Sequence, residues 1–223
     1  MSRLLLSLRS AITAPCTPRR LSVCYVDASR QEKRLTTIYF IRHAQSDFSV
    51  KEDRIRPLTK KGKEDSIYLK GIFENINVDV IFSSPYLRTV QTMTPLSEMK
   101  KIEIELCENF RERTSTVWFE RIEEFQEFAR KQWNDFNHSN DKDESLREVQ
   151  NRNVKELLDI LKRNSGKTML IGTHGTALCT IMNYLDNKYG YEYFSKIVGK
   201  MPHIVKVIFK DTKAIEIEEI EVQ

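Results

Sequence analysis

The spacing of apolar residues along this chain switches repeatedly between two periods. Residues 36–41, Thr-Thr-Ile-Tyr-Phe-Ile, form a β-branched and aromatic run of the kind buried on both faces of a sheet. Residues 59–73 then predict a helix, with Thr59 placed to cap it. A second strand follows at 78–82. Ser83-Ser84-Pro85 opens a helix, with Ser84 as cap and Pro85 at the first position. Residues 101–106 predict a short third strand. Trp118, Ile122, Phe125, Phe128 and Trp133 recur at helical spacing across 117–133. A polar loop covers 134–144, and Leu146, Val149, Leu157 and Leu161 mark a helix ending near Gly166. Residues 168–171 predict a fourth strand, and a helix runs from Thr173 to about Asp186. The segments 204–209 and 214–220 predict a closing antiparallel hairpin turned at 210–213. No internal repeat is visible.

Strands alternating with helices imply an α/β three-layer sandwich: a mainly parallel sheet, helices on both faces, and an antiparallel C-terminal edge. Ligands of such sheets sit outside the carboxyl ends of the strands. Four strand ends therefore matter. Arg42, His43 and Gln45 follow the first, and Ser83, Ser84 and Arg88 follow the second. Glu108, Arg111, Glu112 and Arg113 follow the third, and Thr173, His174 and Gly175 the fourth. Two of the chain's four histidines thus fall at strand ends.

Composition narrows the function classes. At 223 residues with 40% hydrophobic and 30% charged side chains, one ordinary domain with a small insertion is expected. No apolar run approaches the roughly 18 residues of a membrane-spanning helix. The net charge of +4 belongs to the head of the chain, where residues 1–34 hold seven Arg and Lys against two Asp and Glu. The rest is close to neutral, so a nucleic-acid partner, which needs a basic folded surface, is not expected. Residues 1–34 read as an N-terminal extension, either a plain tail or a targeting segment. Residues 1–26 lack any acid and combine Arg with Ser, as in a mitochondrial transit peptide. Cytoplasmic placement is the first expectation and mitochondrial the alternative. Cys16, Cys24, Cys107 and Cys179 have neither disulfide-framework nor zinc-site spacing, which suits a reducing compartment. No metal or other cofactor is expected.

The strand-end residues suit a phosphate dianion. Arg42 and Arg88 offer forked donors to its oxygens. Gly175 opens a helix whose free N–H groups and dipole favour an anion. An imidazole held between two guanidiniums is disfavoured as imidazolium, so its pKa should fall, and neutral histidine is a nucleophile. A nearby carboxylic acid can protonate a departing alkoxide and later draw a proton from water. Gln45 and Ser49 are further candidate donors. A single histidine at a strand end is more often structural, but the joint occurrence of His43 and His174 with Arg42 and Arg88 reverses those odds. His138 and His203 read as ordinary.

Four ordered blocks carry a resemblance. Arg42-His43 with Gln45-Ser46 resembles the RHG signature of the histidine phosphatase (phosphoglycerate mutase-like) superfamily. Residues 57–62, Pro-Leu-Thr-Lys-Lys-Gly, resemble its PLTxxG stretch, and residues 83–92 its SSPxxRxxQT block. Thr173-His174-Gly175 resembles its second-histidine motif. The resemblance implies that His43 is phosphorylated and that Arg42, Arg88 and His174 form the phosphate pocket. It places the acid after the third strand, where Glu108 and Glu112 compete. Phe110-Arg111-Glu112-Arg113 resembles the LRER pattern of bacterial phosphatase-type members and selects Glu112. Ala44 stands where the signature has glycine, a methyl that any backbone with negative φ accommodates.

The resulting expectation is a metal-independent phosphomonoesterase acting on a small phosphorylated metabolite through phospho-His43, with residues 113–145 as a helical lid. The oligomeric state is open. A phosphoglycerate mutase is the alternative, although the stretch after Arg113, Thr-Ser-Thr-Val-Trp, is poor in the cations a mutase uses to clamp a carboxylate. An inactive phosphate-binding scaffold is the second alternative.

Overall fold

The structure, a computed structural model, describes residues 35–116, 119, 121–140 and 142–222. The head segment 1–34 and Trp118 lie outside them. Six strands form one sheet: β1 (Leu35–Arg42), β2 (Val80–Ser83), β3 (Ile104–Leu106), β4 (Thr168–Thr173), β5 (His203–Lys210) and β6 (Lys213–Ile220). Their spatial order is β3-β2-β4-β1-β5-β6. The first four run parallel, and β5 runs against both of its neighbours. The expected mainly parallel sheet with a C-terminal hairpin is the one observed.

The helices are α1 (Lys60–Phe73), α2 (Leu87–Lys100), α3 (Ile122–Asn134), α4 (Leu146–Arg163), α5 (Gly175–Leu185) and α6 (Tyr191–Ile197). Side-chain alternation on the central strands sorts them into two layers. Tyr39, Ile41, Ile81 and Leu170 pack with Leu69 and Phe73 of α1 and with Met93 and Leu96 of α2. Ile38, Phe40, Met169 and Ile171 face the other way, onto α4, α5 and α6 through residues such as Leu157, Ile181 and Phe194. Because both faces are covered, β1 and β4 read as continuous apolar runs rather than alternating ones.

Several boundaries differ for physical reasons. Thr59 caps α1 as expected, accepting from the Gly62 amide at 3.0 Å. Ser84 does not cap α2. That helix starts at Leu87 with Tyr86 as its cap residue, and the Ser84 hydroxyl, which accepts from the Tyr86 amide at 3.3 Å, also meets His174. α3 begins at Ile122, later than the aromatic spacing suggested, while Ser145 and Glu148 form a reciprocal capping box that starts α4. The seven-residue α6 was not expected from the periodicity, since it is too short to show one.

Register aligns the ends of the parallel strands. Arg42 lies opposite Thr173, and Ser83 opposite Gly172, so β1, β4 and β2 stop at one level. The His43 amide continues the ladder to Thr173 O at 3.1 Å, and the Ser84 amide reaches Gly172 O at 2.9 Å. Everything that follows these strands is delivered to one edge.

Candidate active site

His43 leaves β1 and is nearly sealed, 5% exposed. Its Nδ1 lies 2.7 Å from the carbonyl oxygen of Ala44, an acceptor, so Nδ1 carries the proton. Nε2 then holds a lone pair, and the Arg88 Nε–H donates to it at 3.1 Å. Burial pushes the His43 pKa well down, and the nearby charges of Arg88 and Arg42 push it further. The ring is therefore neutral at physiological pH. Ala44 is fully buried, with its amide donating to Thr92 Oγ1. Among the described residues other than glycine, only Lys101 and Asp211 have positive φ, so Ala44 fits without strain.

His174 stands 5.2 Å from His43, measured between ring centroids. Two hydroxyls flank its Nε2, Ser84 at 2.8 Å and Thr89 at 3.2 Å, while Tyr86 meets the ring edge-on at 5.1 Å. Its pKa is also pushed well down, by burial first and then by Arg88. His174 Nδ1 is buried and has no hydrogen-bond partner among the described residues. The Nε of Arg42 is in the same condition. Two unspent polar atoms beside a neutral imidazole leave room for an acceptor such as a phosphate oxygen.

Each arginine is fixed from behind. Arg42 donates to the carbonyls of Ile197, Val198 and Lys200, at and just beyond the C-terminal end of α6. A methyl on Gly175 would sit 3.2 Å from the Arg42 Cζ, so the glycine lets this guanidinium lie flat on the start of α5. Arg88 is 2% exposed and sits in the first turn of α2, where the dipole opposes it. Asp53 supplies the counter-charge, accepting from Arg88 through its backbone carbonyl and, at 3.3 Å, through its carboxylate. The same carboxylate accepts from Arg56 at 2.7 Å. Arg56 is buried beside this group and was missed in the sequence; it directly precedes the PLTxxG stretch and was the available clue.

The two candidate acids separate cleanly. Glu112 lines a cavity of about 630 Å³ together with Arg42, Asp53, Arg56, Gly175 and Thr176. One carboxylate oxygen accepts from the Thr176 amide at 3.1 Å, at the start of α5, and the other from the Arg113 amide at 2.7 Å. Glu108 instead forms an exposed bidentate pair with Arg54 at 2.8 and 2.9 Å. Gln45 and Ser49 are not brought to the cavity. The Gln45 side chain accepts from the Thr59 hydroxyl, and Ser49 bonds Asp47 in the exposed loop beyond. Arg113 lines the cavity with its side chain 10% exposed, and its Nη1 lacks a hydrogen-bond partner among the described residues, Asp143 standing 3.9 Å away. Phe119, Phe125 and Phe194 supply an apolar wall. Among the described residues, no group of three or more His, Cys, Asp or Glu side chains could hold a metal ion.

The model of the histidine phosphatase superfamily (branch 1) matches residues 38–219. The chain belongs to the histidine phosphatase superfamily. Within it, the chain is 29% identical over 155 residues to a Hydrogenobacter thermophilus protein named as a candidate phosphoserine phosphatase, covering 65% of this chain and 76% of that one. Among solved structures, an Entamoeba histolytica phosphoserine phosphatase in complex with 3-phosphoglyceric acid superposes with a TM-score of 0.69 at 21% identity, over 84% of this chain and 98% of that one. YhfR of Bacillus stearothermophilus gives 0.64 at 22% identity over 81% and 94%. A Bacillus anthracis phosphoglycerate mutase also gives 0.64, at 17% identity over 84% and 93%. At these identities the superpositions establish that the superfamily fold is shared.

Proposed function

We propose that this protein is a metal-independent phosphomonoesterase that works through a phosphohistidine at His43. One observation carries the reading: a neutral, buried imidazole whose Nε2 lone pair is held by Arg88, with Arg42, His174 and the start of α5 around it. A phosphate dianion bound there is met by Arg42, Arg88, the Gly175 end of α5 and the unspent Nδ1 of His174, which carries a proton when a flanking hydroxyl donates to Nε2. The lone pair of His43 Nε2 attacks phosphorus as Arg88 turns its donors to the equatorial oxygens. The P–O bond to the leaving group breaks, and Glu112 gives that oxygen its proton. Glu112 then takes a proton from water as the water attacks phospho-His43, releasing inorganic phosphate and restoring the imidazole. Guanidiniums and a helix terminus neutralise the developing charge, so the chemistry needs no cation.

The substrate is a small phosphate monoester. The Arg113 guanidinium in the cavity wall suits one that carries a second anionic group, as the phosphoserine and 3-phosphoglyceric acid bound by Entamoeba relatives do. The same arginine is what favours a mutase as the second reading. A mutase must keep water from phospho-His43, and a cavity of this volume with an exposed Phe48 at its rim favours hydrolysis. Residues 113–145, which carry α3 and part of the cavity wall, act as the lid. The free thiols of Cys107 and Cys179 suit the cytoplasm or the mitochondrial matrix, which fractionation of the tagged full chain separates.

The test is a phosphatase screen on phosphorylated metabolites in EDTA, with H43N, E112Q and E108Q beside the parent chain. Phosphate release without metal and an acid-labile phosphoenzyme absent from H43N are expected. Conversion of 3-phosphoglycerate to 2-phosphoglycerate outpacing phosphate release would give the mutase instead. Phosphate binding with no phosphoenzyme would give an inactive scaffold.

A further inference from the structure

Glu112 reaches the cavity from a stretch with almost no regular structure. After β3 ends at Leu106, a single 3-10 turn spans Glu108–Phe110, and the chain then runs on without secondary structure through 116. One oxygen of the Glu112 carboxylate accepts from the Arg113 amide of this stretch and the other from the Thr176 amide of α5, so its aim depends on where the stretch lies against α5.

That backbone is held chiefly by α4 and the two acids just before it. Arg152, in α4, donates from Nη1 to the carbonyls of Asn109 and Arg111, both at 2.8 Å, and from Nη2 to the carbonyl of Glu112 at 3.0 Å. Glu144, just before the cap of α4, holds Arg152 in that pose with bonds of 2.9 and 3.1 Å. The same carboxylate takes both terminal nitrogens of Arg111 and, at 2.8 Å, the amide of Thr114. Beside it, Asp143 accepts from the Thr116 amide and from the hydroxyls of Thr116 and Ser115. Partial burial pushes the Glu144 pKa up, but the bonds from Arg111, Arg152 and Thr114 outweigh it and hold the group down at about 2. Neither Arg152 nor Glu144 lines the cavity.

We infer that Arg152 and Glu144 are positioning residues whose task is to fix the proton-carrying oxygen of Glu112 against the leaving group. The inference rests on the reading of Glu112 as general acid. A planar guanidinium with fixed N–H vectors is what the three carbonyls of Asn109, Arg111 and Glu112 require; a lysine ammonium keeps the charge but cannot span them. The need is kinetic. Proton transfer demands hydrogen-bond reach, and a misplacement of about 1 Å costs on the order of 100-fold.

Leaving-group dependence tests it. In the full chain, kcat/KM is measured for 2,4-dinitrophenyl, p-nitrophenyl, phenyl and simple alkyl phosphates with R152K, E144Q and E112Q. A departing dinitrophenolate needs no proton, whereas an alkoxide does. The expected result for R152K and E144Q is a loss that grows as the leaving group worsens, reaching about 10–100-fold on the alkyl ester and staying within about threefold on the dinitrophenyl ester. The ratio between two esters in one preparation is independent of how much protein has folded. Equal losses across the series for R152K and E144Q, with a graded loss for E112Q, would overturn the positioning role and leave the acid in place. A flat series for E112Q itself would remove the acid and the positioning role together.

Discussion

The floor of the site and its wall are built by opposite means. The floor, made of Arg42, His43, Arg88 and His174, is buried at the ends of parallel strands and in the first turn of α2, at 0–7% exposure. Its geometry follows from strand register and from carbonyls or carboxylates standing behind each guanidinium. The wall, from Glu108 to Thr116, owes little to the sheet and is tied by charged hydrogen bonds to Arg152 of α4 and to Glu144 and Asp143 just before that helix. Burial of charge gives the floor its chemistry, because it holds two imidazoles neutral between cations. A bonded network gives the wall its aim. A floor residue should therefore fail through charge and nucleophilicity, and a wall residue through placement.

The largest break lies in the floor. H43N should lower kcat on the order of 10⁴–10⁶-fold, as loss of a nucleophile does, while inorganic phosphate still binds. Rapid-quench capture of the phosphoenzyme checks this, and retained burst labelling would contradict it. R88Q should cost about 10²–10³-fold in kcat, the scale of one removed transition-state donor, as read by steady-state rates on p-nitrophenyl phosphate.

Acid should expose the floor in stability as well. Burial lowers the pKa of His43, His174 and His203, the last to about 4, from an ordinary value of 6.5. The unfolded chain takes up these protons below about pH 6.5 and the folded chain does not. Stability is therefore full above that pH and falls as pH drops, by up to about 1.4 kcal/mol per pH unit for each proton. The depressed Asp143 and Glu144 that hold the wall act later, their contribution being lost only as pH falls below about 4.5 towards 2. Urea midpoints measured from pH 8 downwards should show this order, and a flat profile to pH 5 would contradict it. The smallest effect belongs to E108Q. Its pair with Arg54 is exposed to solvent and screened, and kcat should stay within about threefold of the parent.

Strands 36–41 and 168–171 were legible because a segment buried on both faces is near-continuously apolar or β-branched. His43 and His174 were legible because strand ends in a parallel sheet converge wherever the chain goes afterwards. Gln45 and Ser49 misled. Proximity along the chain to His43 says nothing about side-chain direction: the Gln45 side chain is taken by the Thr59 hydroxyl and Ser49 bonds Asp47, while Phe48, Asp53 and Arg56 of the same loop line the cavity. Arg56 went unread because its value comes from Asp53 and Arg88, one of them far away in sequence.

By itself the amino-acid order determined the layers, the sheet edge that bears the site, and the pair of imidazoles with two guanidiniums gathered there, since these follow from periodicity and topology. Between Glu112 and Glu108 a resemblance could choose, but only tertiary structure turned the first to the cavity and the second to solvent, and only it braced Arg42 with α6 and the Glu112 backbone with α4. The reason is range: periodicity is written in neighbouring residues, whereas a hydrogen bond from Arg152 to Asn109 or from Arg42 to Val198 spans a distance along the chain that no local pattern records.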